Sequence, residues 1–204
     1  MSKILLFGGS FDPIHNGHLI VSRWAAERLG IERVILIPSM IPPHKQGKEL
    51  TPAETRTELC RLATRGERGF EVCDWETKQS GPSFTLLTVK HFGETEPAGT
   101  ELFWLIGRDS LIELPTWYHI GELASLCTLV TAGRPGWERP GRETFAGCLS
   151  DKQIDVLEAH YLDSPLIEIS ATEIRDRVRG GLSVRHLVPD AVAEAIEVHG
   201  LYRR

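Results

Sequence analysis

Short apolar runs recur along this chain and are separated by stretches typical of helices. Apolar runs of this length predict buried strands of a parallel sheet. The predicted strands cover residues 4–7, 33–39, 70–76, 102–106, 127–131 and 165–169. The predicted helices cover residues 19–29, 51–64, 83–92, 109–114, a segment ending at 126, 170–179 and 190–199. This alternation predicts an α/β fold, a doubly wound, Rossmann-like parallel sheet of five to six strands.

Three further segments carry local signals. Thr51 and Glu54 predict a capping box at the start of the second helix, with a proline in its first turn. Residues 137–147 are rich in glycine, proline and arginine and predict a mobile loop. Residues 149–161 have an ambiguous pattern that indicates partial helix.

Composition narrows the kind of protein. The 204 residues predict a single domain, 1–204, with a C-terminal helical portion from about residue 170 packed on it. The formal net charge of −5 argues against nucleic acid or a membrane as the partner. The four cysteines are widely spaced, which favours reduced thiols, and Met1 leads almost directly into a strand, so we expect no signal peptide. These features predict a cytoplasmic protein, either a monomer or a homo-oligomer.

The most informative stretch is residues 8–18, GGSFDPIHNGH, between the first strand and the first helix. Unpaired N–H groups and the positive end of a helix dipole converge at such a turn and attract anions. His15 and His18 at the mouth of the helix could be half of a metal site or incidental surface residues, but at this turn they favour hydrogen bonds to phosphate oxygens. The stretch is neither a Walker A loop nor a dinucleotide fingerprint.

A second phosphate-binding candidate is residues 169–175, ISATEIR. Ser170 and Glu173 predict a capping box, which is compatible with phosphate binding because both use the helix N-terminus. Arg175 adds a planar donor fork suited to phosphate. Because the carboxyl ends of parallel strands share one edge of the sheet, we expect both candidates to converge there.

Residues 8–18 resemble the G-x-F-D-P-x-H-x-G-H signature of the HxGH nucleotidyltransferase superfamily, and residues 169–175 resemble its I-S-S-T-x-I-R motif, with Ala171 in place of serine. Within that superfamily the chain is similar to the bacterial nicotinate-nucleotide adenylyltransferases. Four segments carry this similarity, in the expected order: PPHK at 42–45, PSFT at 82–85, LPTW at 114–117 and SVRHLVP at 183–189. Arg108 departs from the family, which usually has a small residue there.

The resemblance implies transfer of AMP from ATP to nicotinate mononucleotide in NAD biosynthesis, with release of pyrophosphate and with Mg²⁺ bound to ATP. It implies no protein metal ligands. The catalytic residues would be His18, His15 and Arg175. The implied ATP-binding residues are Gly8, Gly9, Ser10, Phe11, His15, His18, Asp109, Ser170, Thr172 and Arg175. The implied acceptor-binding residues are Ser10, Lys45, Thr85, Trp117, Tyr118 and Arg134.

Simpler roles compete at several of these positions. Lys45 and Arg134 could be solvated charges. Asp109 could cap a short helix, and Trp117 could belong to the core. The sequence also leaves two other functions open: an adenylyltransferase for nicotinamide mononucleotide or another phosphorylated acceptor, and a non-catalytic sensor of ATP or NAD.

Overall fold

The computed structural model describes residues 2–42, 50–133 and 139–203, with the backbone alone for residues 108 and 109. Within these residues six parallel strands form one sheet in the order β3-β2-β1-β4-β5-β6. The strands are β1 Lys3–Gly9, β2 Arg33–Pro38, β3 Phe70–Val72, β4 Glu101–Gly107, β5 Thr128–Gly133 and β6 Tyr161–Asp163. The predicted doubly wound α/β fold is therefore confirmed.

Eight α-helices connect or follow the strands in the described part of the chain. They are α1 Asn16–Leu29, α2 Ala53–Ala63, α3 Thr85–Thr95, α4 Arg108–Glu113, α5 Ile120–Leu126, α6 Asp151–Ala159, α7 Ala171–Arg179 and α8 Asp190–Val198. None of the helices in these residues is long and apolar enough to cross a membrane.

Side chains of each strand alternate between two apolar clusters, one on each face of the sheet. Leu5 of β1 lies in one cluster, with residues of α1, α2, α7 and α8. Ile4 and Leu6 lie in the other, with residues of α3, α4, α5 and α6. Both faces are covered, as the continuous apolar strands require. The C-terminal helices α7 and α8 thus share a core with the N-terminal strand.

The strand order places a switch point between β1 and β4. Strand β1 pairs with β2 on one side and with β4 on the other. Successive connections therefore run in opposite directions from β1, which opens a crevice above the carboxyl ends of β1 and β4. The turn after β1 lies at this crevice.

The predicted strand at residues 165–169 is wrong. The sixth strand lies earlier, at Tyr161–Asp163, where it pairs with β5. The chain leaves the sheet at Ser164, whose hydroxyl donates to the carbonyl of Gly133 at 2.7 Å. Pro165 follows and has no N–H to continue a ladder.

Two other local predictions need correction. The strand predicted at 70–76 ends at Val72, and a 3₁₀ helix, Glu76–Lys78, follows. Thr51 does not cap α2; Pro52 holds the N-cap position, with no side-chain cap. The backbone N–H of Thr51 instead donates to the Asp12 carboxylate at 3.3 Å.

The segment predicted as a mobile loop contains a short helix where the structure describes it. Residues 137 and 138 lie outside the described residues, but Arg142–Thr144 form a 3₁₀ helix and Phe145 is buried in the core. The ambiguous stretch that follows contains α6, which starts with a capping box formed by Ser150 and Gln153. Phe145 anchors this segment because its ring joins the apolar cluster shared by α3 to α6.

Candidate active site

The two glycines at the end of β1 allow close packing under the turn. A Cβ at Gly8 would lie 2.6 Å from Cζ2 of Trp104 on β4, which is far inside van der Waals contact. A Cβ at Gly9 would lie 3.1 Å from the ring of Phe11. Only glycine at position 8 therefore lets the indole pack against the strand end.

Phe11 shapes the turn with an unusual backbone. Its φ of 44° lies in the left-handed region, which costs a non-glycine residue about 1 kcal/mol or more. The ring is buried and meets the ring of His18 edge-on, with centroids 5.0 Å apart. Burial of the ring offsets the backbone strain and fixes the turn beside His18.

His18 is oriented by the backbone of His15. The N–H of His15 donates to Nδ1 of His18 at 3.2 Å. A nitrogen that accepts this bond carries no proton, so the ring proton of His18 sits on Nε2, which is thereby a hydrogen-bond donor. The two imidazoles are stacked, with centroids 3.6 Å apart and planes 22° from parallel.

His15 is neutral at physiological pH. It is buried, and this desolvation lowers its pKa from 6.5 to about 4. Gly17 leaves room for it, because a Cβ there would lie 3.0 Å from Nδ1 of His15. The glycine of the HNGH segment therefore has a packing role in addition to its place in the helix.

The start of α7 faces the same turn. The guanidinium of Arg175 donates to the backbone carbonyl of Asp12 at 2.6 Å and to the hydroxyl of Thr172 at 3.3 Å. Ser170 accepts the N–H of Glu173 at 3.1 Å, which is one half of the predicted capping box. The two predicted phosphate-binding segments, more than 150 residues apart in the chain, are thus in direct contact.

These residues line the larger of two adjoining clefts, which has a volume of about 390 Å³ and lies between the turn after β1 and α7. We call it the larger cleft. Of the predicted ATP-binding residues, those lining it are Ser10, Phe11, His15, His18, Ser170, Thr172 and Arg175. Backbone of the strand ends β4 and β5 closes one side, at Gly107 and Ala132.

A smaller cleft of about 190 Å³ lies on the other side of the end of β1. The predicted residues lining it are Gly8, Gly9, Ser10, Thr85 and Trp117. Ser10, Phe7 and Gly107 line both clefts, so the two spaces adjoin at the ends of β1 and β4. A ligand in one cleft can therefore reach a ligand in the other.

Trp117 and Tyr118 are placed differently. Trp117 lines the smaller cleft, and its Nε1 is buried without a hydrogen-bond partner among the described residues. The Tyr118 ring is exposed and stacks on Phe84, with centroids 4.5 Å apart. Of this pair, only Trp117 lines either cleft within the part of the chain that the structure describes.

The smaller cleft also contains polar residues that sequence reasoning missed. Glu76 is buried there, and burial raises its pKa. Its carboxyl group accepts a 2.5 Å hydrogen bond from Thr88 of α3. Ser39 and Ser83 line the same cleft. The sequence carries a weak signal for Ser39, because this polar residue directly follows a buried strand. It carries no signal for Glu76, which lies in a stretch predicted as strand.

Some predicted residues cannot be placed. Lys45 and Arg134 lie outside the described residues, and Arg108 and Asp109 are described by backbone alone, at the start of α4. Among the described residues no group of three or more His, Cys, Asp or Glu side chains gathers into a metal site.

Comparison with known proteins identifies the class. The cytidylyltransferase-like family matches residues 6–177, so the chain belongs to that family. Two Plasmodium falciparum nicotinic acid mononucleotide adenylyltransferase structures, one complexed with NaAD and one with APC, have TM-scores of 0.76 and 0.74 to this fold. Each is 16% identical in sequence, and the alignment covers 100% of this chain and 98% of the other. At this identity they show that the fold is shared.

Relatives of higher identity narrow the class. A protein of Dehalococcoides mccartyi named as a probable nicotinate-nucleotide adenylyltransferase is 40% identical, over 99% of this chain and 98% of that protein. A Clostridium tetani protein of the same name is 35% identical over the full length of both chains. The chain belongs to the nicotinate-nucleotide adenylyltransferase family, and the resemblance found in its motifs is confirmed.

Proposed function

We propose that this chain transfers AMP from MgATP to nicotinate mononucleotide, giving nicotinate adenine dinucleotide and pyrophosphate, as a step of NAD biosynthesis in the cytoplasm. The observation that carries the proposal is the pair of adjoining clefts that share Phe7, Ser10 and Gly107. A reaction between two phosphate-bearing molecules needs two binding spaces that meet at one point, and here they meet beside His18.

The larger cleft suits ATP. Its phosphates would face the N-terminus of α7, where Thr172 and Arg175 line the cleft. Arg175 would give its second donor edge to phosphate while it holds the Asp12 carbonyl. Mg²⁺ would enter with the triphosphate and neutralise part of its charge.

The smaller cleft suits the pyridine nucleotide. The indole of Trp117 offers a face on which a positively charged pyridinium ring can stack. Helix α3 starts at Thr85, which lines this cleft, and among the described residues no side chain caps its N-terminus. The N-terminus of a helix favours a carboxylate substituent over a neutral amide. This arrangement supports nicotinate as the ring of the acceptor.

The chemistry would rest on positioning and charge stabilisation. The acceptor phosphate has a second pKa of about 6 and is largely dianionic at pH 7, so it needs no general base. It would attack the α-phosphorus of ATP in line, the bond to the β-phosphate oxygen would break, and pyrophosphate would leave. The Nε2–H of His18 would donate to an α-phosphate oxygen as negative charge develops there.

The test is product formation by the purified protein with ATP, Mg²⁺ and nicotinate mononucleotide. We expect equimolar pyrophosphate and a dinucleotide of the mass of nicotinate adenine dinucleotide. His18→Gln, which keeps a polar side chain but moves the donor, should form product at least about 100-fold more slowly. Absence of product from the wild-type protein, with ATP bound, would contradict the proposal.

A further inference from the structure

Arg56 is the largest of the fully buried side chains, and it belongs to α2, outside both clefts. The residue is 1% exposed, and its guanidinium donates only to backbone carbonyls among the described partners. Burying a cation is costly unless its donors are satisfied. A neutral apolar residue would fill the same space without that cost. The positions of the carbonyls that Arg56 binds therefore indicate what the buried cation does.

The carbonyls that Arg56 binds come from three separate loops. Nη1 donates to Ser10 at 2.6 Å, in the turn after β1. Nη2 donates to Ser39 at 2.7 Å and to Met40 at 3.3 Å, in the loop after β2. Nε donates to Thr51 at 2.8 Å, just before α2. One rigid fork therefore sets the spacing between the strand-end loops.

Two of the captured carbonyls, those of Ser10 and Ser39, also fix the N–H group of the following residue. The C=O and N–H of a trans peptide point in opposite directions, so the N–H of Phe11 points away from Arg56. Phe11 itself lines the larger cleft. By the same geometry the N–H of Met40 points away from Arg56, and it donates to the hydroxyl of Ser83 at 2.9 Å. Ser83 lines the smaller cleft.

We propose that Arg56 is a positioning residue for adenylyl transfer: it holds the turn after β1 and the loop after β2 at a fixed spacing, so that ligands in the two clefts meet in line. The inference rests on the proposed function. It follows because Ser10 lines both clefts while Ser39 and Ser83 line only the smaller one. A shift of about 1 Å between reacting groups can cost about 100-fold in rate.

The test compares Arg56→Lys with Leu59→Ala. Lysine keeps the charge but loses the planar fork, so it cannot reach all four carbonyls. Leu59, on the same helix, is buried in the apolar cluster and contacts neither strand-end loop through a hydrogen bond in the described residues, so its truncation lowers stability alone. Activity is measured per folded protein, well below both melting temperatures.

We expect kcat of Arg56→Lys to fall at least about 30-fold with both KM values within about threefold of wild type. Leu59→Ala should keep kcat within about twofold of wild type, even if its Tm falls as far as that of Arg56→Lys. A kcat for Arg56→Lys close to that of wild type, with the loss confined to Tm, would overturn the proposal and leave Arg56 a structural role only.

Amide hydrogen exchange supplies a readout that does not depend on turnover. Peptides covering residues 9–13 and 38–42 should exchange faster in Arg56→Lys and at the wild-type rate in Leu59→Ala. If the wild-type protein makes no product, the proposed function fails, and the exchange comparison still decides whether Arg56 holds the loops. Unchanged exchange in both peptides would refute the inference.

Ser83→Ala tests the same link if Arg56→Lys does not fold. The substitution removes the hydroxyl that accepts the N–H of Met40 and leaves the buried guanidinium in place. We expect faster exchange at residues 38–42 and a kcat reduced by about fivefold, with the KM for ATP unchanged. Wild-type kcat and exchange in this variant would contradict the coupling between Arg56 and the smaller cleft.

Discussion

The N–H of His15 donates to Nδ1 of His18 at 3.2 Å, and the two rings stack with centroids 3.6 Å apart. This pair of contacts sets both the tautomer and the orientation of His18. Because burial keeps His15 neutral, with its pKa at about 4, the ring stacked on His18 is uncharged at pH 7. His18 therefore presents its Nε2–H as a donor.

Removal of this donor should slow the chemical step. We expect His18→Ala to lower kcat by about 100- to 1,000-fold, the usual cost of one donor to a developing oxyanion, with little change in the KM for ATP. Steady-state pyrophosphate release measures both constants. His199→Ala serves as the matched control, because His199 is exposed at the end of α8. Equal losses in the two variants would contradict a specific role for His18.

Trp117 should contribute to binding of the pyridine nucleotide and not to binding of ATP. Loss of stacking on a pyridinium ring is worth about 1–2 kcal/mol, so Trp117→Ala should raise the KM for the pyridine nucleotide by about 5- to 30-fold. The KM for ATP should stay within about twofold. Trp24→Ala is the control, because Trp24 packs from α1 against the apolar cluster on the opposite face of the sheet. An increase in the KM for ATP would contradict this assignment, because it would mean that the indole contributes to ATP binding.

The sequence predicts the elements whose signal is local. The turn at residues 8–18 and the start of α7 each carry their own glycine, histidine or cap pattern, and the structure brings them together through Arg175 and the Asp12 carbonyl. The doubly wound order follows from alternation of strands and helices. The strand predicted at 165–169 is wrong because its apolar pattern was short and began at a proline.

Other parts of the site have no local signal. In the sequence, Arg56 resembles any other polar residue of a helix. Its partners are the backbone carbonyls of residues 10, 39, 40 and 51, and backbone carbonyls have no sequence signature. Glu76 lines the smaller cleft only because the predicted strand ends early, at Val72, and a 3₁₀ helix follows. Such residues become visible only once the topology is known.

The buried His15 predicts a pH dependence of stability. In the unfolded chain His15 takes up a proton near pH 6.5, while in the folded protein it stays neutral down to about pH 4. The unfolded state therefore binds more protons in this window, and the free energy of unfolding falls as the pH is lowered through it. Between pH 7.5 and 5.0 the wild-type protein should lose about 2 kcal/mol more than His15→Gln.

Denaturant unfolding at the two pH values measures this difference. His199→Gln is the control, because His199 is exposed. Parallel pH profiles for wild type and His15→Gln would contradict the neutral, buried state of His15.

Two glycine substitutions should have opposite effects on stability. In Gly8→Ala the new methyl group would lie 2.6 Å from the Trp104 ring, so we expect a loss of about 1–3 kcal/mol from overpacking. Gly93 lies on the exposed side of α3 with nothing within 4 Å of a Cβ, and Gly93→Ala should gain about 0.5–1 kcal/mol. Urea unfolding compares the two. A neutral Gly8→Ala would mean that the indole can move away from β1.

We expect the smaller cleft to distinguish between substituents of a pyridine ring bound beside the site of adenylyl transfer. The most direct measurement is kcat/KM for nicotinate mononucleotide and for nicotinamide mononucleotide in the same wild-type preparation, at saturating ATP and Mg²⁺. We predict a preference of at least about 100-fold for the nicotinate form, because the N-terminus of α3, which no described side chain caps, favours a carboxylate. Equal values, or a preference for the nicotinamide form, would contradict it.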